Sequence, residues 1–240
     1  MKEALLWGGV AGFANVLGAL IVLKWSISER WIGYFMAVGT GALIGAVTFE
    51  LLEEALQLGS LIDVAWGFLG GALLFTLINS YLHRKGAGRR KRSNQEDGSA
   101  AASGRAILVG TVMDAIPETM MIGFSLLHGQ VSQSLVFSVF LSNVPEGISS
   151  TSGLRKGGMS RGKVLGLWSI VFVLSMGSAW VGYTLLSSAS VHVQALLNAF
   201  AAGGILAMLA STMMPEAYEK DGAVVGFLTA LGLFLTLLLQ

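Results

Sequence analysis

Residues 106–127 read AILVGTVMDAIPETMMIGFSLL, and residues 134–154 read SLVFSVFLSNVPEGISSTSGL. Each stretch is close to the roughly 20 apolar residues that carry a helix across a bilayer. Each also holds a carboxylate and a proline near its middle, in Asp114-Ala115-Ile116-Pro117-Glu118 and in Ser142-Asn143-Val144-Pro145-Glu146-Gly147. A charge in hydrocarbon costs at least ~2.5 kcal/mol, so carboxylates at that depth mark a functional site. Proline leaves the carbonyl four residues earlier without its helical donor. Pro117 frees the Met113 carbonyl and Pro145 that of Leu141, giving oxygen-rich points expected to face each other between two antiparallel spans.

Working outward, hydrophobic residues make up 54% of the 240 and charged residues 12%, too few charges to clothe a soluble globule of this size. With no cysteine, thiolate metal sites and disulfides are excluded. The apolar runs predict spans at about 4–24, 32–57, 63–83, 106–128, 133–154, 163–186, 193–217 and 223–240. The first run has no small-residue cleavage region and reads as a retained span rather than a signal peptide. The fold class is therefore an all-α integral membrane protein of eight transmembrane helices, one transporter domain over 1–240. Residues 84–105 form a basic, then Ser/Gly/Ala-rich, linker.

That linker sets orientation by the positive-inside rule. Placing it in the cytoplasm puts every Lys and Arg except Lys2 on the inside, with both termini extracytoplasmic. Topology alone accounts for the basic run, so membrane lipid is the expected partner and nucleic acid is not. Gly41, Gly45, Gly70, Gly71, Gly203 and Gly204 are expected to let helices approach closely, and His83, His128 and His192 to be interfacial.

The acidic residues are harder to dismiss. Asp114, Glu118 and Glu146 lie in spans that contain no well-buried Lys or Arg, so their partner must be a proton, water or a bound cation. Asp114 and Glu118 are i,i+4 and share a face, as do Ser142 and Glu146. Residues 41–55 (GALIGAVTFELLEEA) also align without gaps to 203–217 (GGILAMLASTMMPEA), superposing Glu54 on Glu216. The two stretches run in opposite directions across the membrane. This inverted repeat is a hallmark of secondary transporters. Glu50, Glu53 and Glu54 then lie toward the outer mouth and Glu216 toward the inner one.

These residues resemble the ZIP (Zrt-, Irt-like) divalent-metal transporters, as a divergent member of prokaryotic type. The likeness covers essentially the whole chain: eight spans, a long third loop, Phe49-Glu50-Leu51-Leu52-Glu53-Glu54-Ala55, both Pro-Glu elements, Leu154-Arg155-Lys156-Gly157-Gly158 and Pro215-Glu216-Ala217. The resemblance implies zinc, iron or manganese entering the cytoplasm across the cell (inner) membrane. It also implies a metal centre between the fourth and fifth spans and a homodimer.

Departures from the family pattern sharpen the expectation. Asp114 stands where the family usually has histidine, Ala115 where it has asparagine, and the sixth span lacks the Glu-Pro pair that helps hold a second metal. One metal is therefore expected, liganded by Asp114, Glu118 and Glu146 with Ser142 and Asn143, and passed along Glu50, Glu54 and Glu216. This oxygen-only set suits harder ions, so Mn²⁺ or Fe²⁺ should travel beside Zn²⁺ and Cd²⁺. The divalent ion is substrate; no organic cofactor and no enzymatic activity are expected. The competing readings are a proton-coupled small-solute permease and a non-transporting, metal-sensing membrane relative.

Overall fold

The computed structural model describes residues 1–84 and 100–239, and these are helical apart from short turns. Eight helical runs follow in order: α1 (Lys2–Lys24), α2 (Glu29–Leu58), α3 (Leu61–Arg84), α4 (Ala100–Ser125), α5 (Gln133–Lys156), α6 (Arg161–Ser187), α7 (Val191–Asp221) and α8 (Val224–Leu237). Each expected span corresponds to one run. The linker is shorter than its expected 84–105. Arg84 ends α3, and α4 begins at Ala100, where Ala100-Ala101-Ala102 supplies strong helix formers. What remains of it, 85–99, lies outside the described residues.

Among the described residues five runs, α1, α2, α3, α6 and α7, are by length and composition apolar enough to cross a membrane. α8 is apolar but short, and α5 is diluted by Ser, Thr and Asn on its buried face. Many large apolar side chains point outward, among them Trp66, Leu69 and Phe227. In water such a surface would aggregate; in a bilayer it is the solvent-facing surface. The protein is an all-α, multi-pass membrane protein.

Glycine determines which helices meet. A Cβ added at Gly41 on α2 would lie 1.8 Å from the Thr229 carbonyl oxygen of α8, and one at Gly232 would lie 2.0 Å from that of Val38. On the other side of the molecule, a Cβ added at Gly203 of α7 would lie 1.9 Å from the Phe68 carbonyl oxygen of α3, and one at Gly71 would lie 1.9 Å from that of Phe200. The alignment of 41–55 with 203–217 carries Val38 onto Phe200 and Gly41 onto Gly203, so the same two contacts occur twice. Gly70 and Gly204, expected to do the same, make only ordinary contacts at 3.9 and 3.8 Å.

The aligned segments share one more feature. α2 contains a π-helical turn at Val47–Leu52, and α7 contains one at Leu209–Met213, starting at corresponding positions. A π turn inserts a residue and re-aims the side chains that follow, and such turns recur at functional sites. Glu50 lies within the first turn, and Pro215-Glu216 follow directly after the second.

α5 occupies the middle, packed chiefly on α1 and α2, while α4 packs chiefly on α6. Ser132 caps the start of α5 by accepting from the Leu135 amide at 3.1 Å. Gly129 at φ 98 supplies the left-handed residue that turns the chain back from α4.

Candidate functional site

All three expected carboxylate ligands are inside the protein: Asp114 is 5% exposed, Glu118 1% and Glu146 8%. Helical spacing places Asp114 and Glu118 on one side of α4. Glu146 reaches across from α5, and Thr111 Oγ1, one turn before Asp114, donates to its Oε1 at 3.4 Å. The two Pro-Glu helices therefore do meet through their polar residues. Among the described residues, however, no three Asp, Glu or His side chains converge as one metal-binding group.

The expected supplementary oxygens are partly committed elsewhere. Ser142 is buried and donates to the Val139 carbonyl of its own helix at 2.9 Å, leaving its oxygen able to accept or ligate. Asn143 Nδ2 donates to the Ala11 carbonyl of α1 at 3.4 Å. The Leu141 carbonyl freed by Pro145 turns toward α2, where a Cβ at Gly39 would lie 2.8 Å from it. It was expected to face α4; the close approach that glycine allows directs it to α2 instead.

The serines of α5 share one side of the helix. Ser134, Ser138, Ser142 and Ser149 fall at i, i+4, i+8 and i+15, which lines one side of a helix. At the N-terminal end of α5, the expected outer end, Ser134 Oγ donates to Glu50 Oε1, and at its C-terminal end, the expected inner end, Ser149 Oγ donates to Glu216 Oε1. One helix side thus links the two expected mouth carboxylates over about 22 Å at 1.5 Å per residue.

The outer end opens into a cavity of 430 Å³ lined by Glu50, Glu53 and Glu54 with Ser125, Gln130 and Ser132 among its walls. Behind it, Asn198 Nδ2 of α7 donates to Glu54 Oε2 at 2.9 Å. The inner end is built differently. Lys220 Nζ lies 3.8 Å from Glu216 Oε1, one helical turn away, and also pairs with Glu29 at the start of α2. Lys156 of α5 reaches the same Glu29 at 3.1 Å. The Lys220 side chain is only 6% exposed.

Several of these residues escape sequence reading. Lys220 reads as a loop cation until α7 is seen to continue through Asp221, which folds it against Glu29. Asn15 lies in the apolar first span, yet it is wholly buried and neither of its polar side-chain atoms has a protein partner. Its signal was a lone Asn among apolar residues. The serine spacing of α5 was legible and would have found Ser134 and Ser149. His192, read as interfacial, is exposed and pairs with Asp63 at 3.5 Å. The side chains of His83 and His128 lie outside the described residues.

No protein-family model matches the chain. Among curated proteins, an Arabidopsis thaliana protein named "Putative zinc transporter" is 26% identical over 212 residues, covering 86% of this chain and 33% of the relative. The chain spans about a third of the length of that relative.

Proposed function

We propose that the chain is a ZIP-like transporter that moves a divalent transition-metal cation into the cytoplasm across the cell membrane, along the polar side of α5. The observation that carries this reading is the row of serines on one side of α5, bonded to Glu50 through Ser134 at one end and to Glu216 through Ser149 at the other, with Glu146, bonded to Thr111 of α4, between them. A chain that only held its fold would gain nothing from three buried carboxylates at the centre of apolar helices. The likeness to a plant protein named as a zinc transporter supports the same substrate class.

In this reading the acidic outer cavity raises the local cation concentration. Asp114, Glu118 and Glu146 neutralise the ion at the midplane, and Ser142 replaces part of its hydration. Glu216 receives it at the cytoplasmic end. The duplicated glycine contacts and the matching π turns support eight spans built on an inverted repeat, which permits one half to rock against the other around a fixed site. The oxygen-only donor set supports broad selectivity, with Mn²⁺ or Fe²⁺ carried beside Zn²⁺ and Cd²⁺.

Uptake of metal into proteoliposomes tests this directly. Wild type should accumulate Zn²⁺, Mn²⁺ and Cd²⁺, and Glu118→Ala should lose at least about 90% of the initial rate, since a midplane ligand is worth well over ~1.4 kcal/mol. Full uptake by Glu118→Ala, or no metal uptake by folded wild type, rejects the reading.

A further inference from the structure

One charged feature lies away from the transport line. α1 and α6 run antiparallel in close contact, Gly8 against Ala179 and Gly12 against Ser175, so the end of α1 meets the start of α6. There a cavity of 650 Å³ opens, walled by Leu17, Leu20 and Leu165 and flanked by Lys24, Trp25 and Arg161. Lys24 Nζ sits 4.6 Å above the Trp25 ring, which is 57% exposed. An aromatic belt residue at this position marks headgroup depth.

The cations at this end of the molecule divide into two kinds. Toward α2 and α7 they are neutralised: Arg30 by Asp221 at 3.6 Å, Lys156 by Glu29, and Lys220 by Glu29 and Glu216. Beside the α1–α6 cavity, neither Lys24 nor Arg161 meets a carboxylate among the described residues. Two uncompensated cations over an apolar slot match one chemistry: a phosphate carrying acyl chains. Free phosphate would satisfy the cations but leave Leu17, Leu20 and Leu165 unmatched. Apolar chains alone would leave the charges unmatched.

We propose that this slot is a binding site for an acidic phospholipid of the leaflet at the C-terminal end of α1. Its phosphate sits between Lys24 and Arg161, and an acyl chain runs along Leu17, Leu20 and Leu165. The site depends on the membrane reading of the fold but not on transport.

The test uses the full chain, purified in detergent, stripped of lipid and titrated in native mass spectrometry with phosphatidylglycerol or phosphatidylcholine of identical acyl chains. Wild type should retain phosphatidylglycerol in preference to phosphatidylcholine. Lys24→Gln and Arg161→Gln should each lower phosphatidylglycerol affinity about fivefold, and together about twentyfold, with phosphatidylcholine binding unchanged. Lys163→Gln removes a charge from the same helix turn but does not line the cavity, and should leave the preference intact. Lack of preference in wild type overturns the site. So does an equal loss in Lys163→Gln, which would mean diffuse attraction. Displacement of the lipid by millimolar inorganic phosphate would overturn the lipid as occupant.

Discussion

The two ends of the α5 line differ in a way that the internal alignment makes instructive. Glu54 and Glu216 occupy corresponding positions in the aligned segments, each just beyond a π turn. At the outer end Glu54 accepts from a neutral amide, that of Asn198, and lines the 430 Å³ cavity shared with Glu50 and Glu53. At the inner end Glu216 is buried, accepts from Ser149 and lies beside the Lys220 ammonium, itself held by Glu29. The same backbone device thus presents a carboxylate lining a cavity on one side and a carboxylate facing a cation on the other. Under the proposed function, the protein's own ammonium holds the inner seat while the outer seat is open to solvent. In that reading, inward release has the Lys220 side chain turn away from Glu216, on its own helix, toward Glu29 of α2.

The strongest way to break this contrast is to remove the inner cation. Lys220→Met leaves Glu216 without its ammonium and Glu29 with that of Lys156 alone, and should destabilise the protein by about 3 kcal/mol, the lower range for breaking a buried ion pair because Glu29 is partly exposed. Thermal unfolding in detergent measures it, and adding Glu29→Gln should recover part of the loss. A melting temperature equal to that of wild type would show that the inner network does not hold the two helices together.

Equivalence of the two halves is tested by Gly41→Ala and Gly203→Ala. Each Cβ would enter a backbone carbonyl at under 2 Å, with no flexible side chain to yield. Each should cost about 2 kcal/mol, and by similar amounts. If one is costly and the other neutral, the halves are not built alike, whatever their alignment.

The smallest effect belongs to the outer end. Glu50→Gln should raise the half-saturating metal concentration by a few-fold at low salt, with the difference shrinking once the Debye length falls to about 8 Å near 0.15 M. Kinetics insensitive to both the substitution and ionic strength would reduce Glu50 to a structural partner of Ser134.

The sequence alone determined the helices and their membrane character, because 20-residue apolar runs broken by Ser, Gly and basic turns admit little else. It also put Asp114, Glu118 and Glu146 inside the protein, as their places in apolar stretches required, whereas Glu216, expected toward a mouth, is buried as well and Glu50 is only half-buried. The glycine positions were legible as close contacts, but not their partners. That Gly41 meets Thr229 and Gly203 meets Phe68 depends on how helices far apart in the chain are brought side by side. The same limit hid the inner network. Lys220, Glu29 and Lys156 come from three different helices, and no local pattern records that they share one corner. It also misdirected the Leu141 carbonyl, which a proline frees but only the packing of Gly39 aims. Local chemistry sets where charge and helix lie along the chain; tertiary packing sets which groups neutralise one another, because Coulomb and backbone contacts act over a few ångströms regardless of sequence distance.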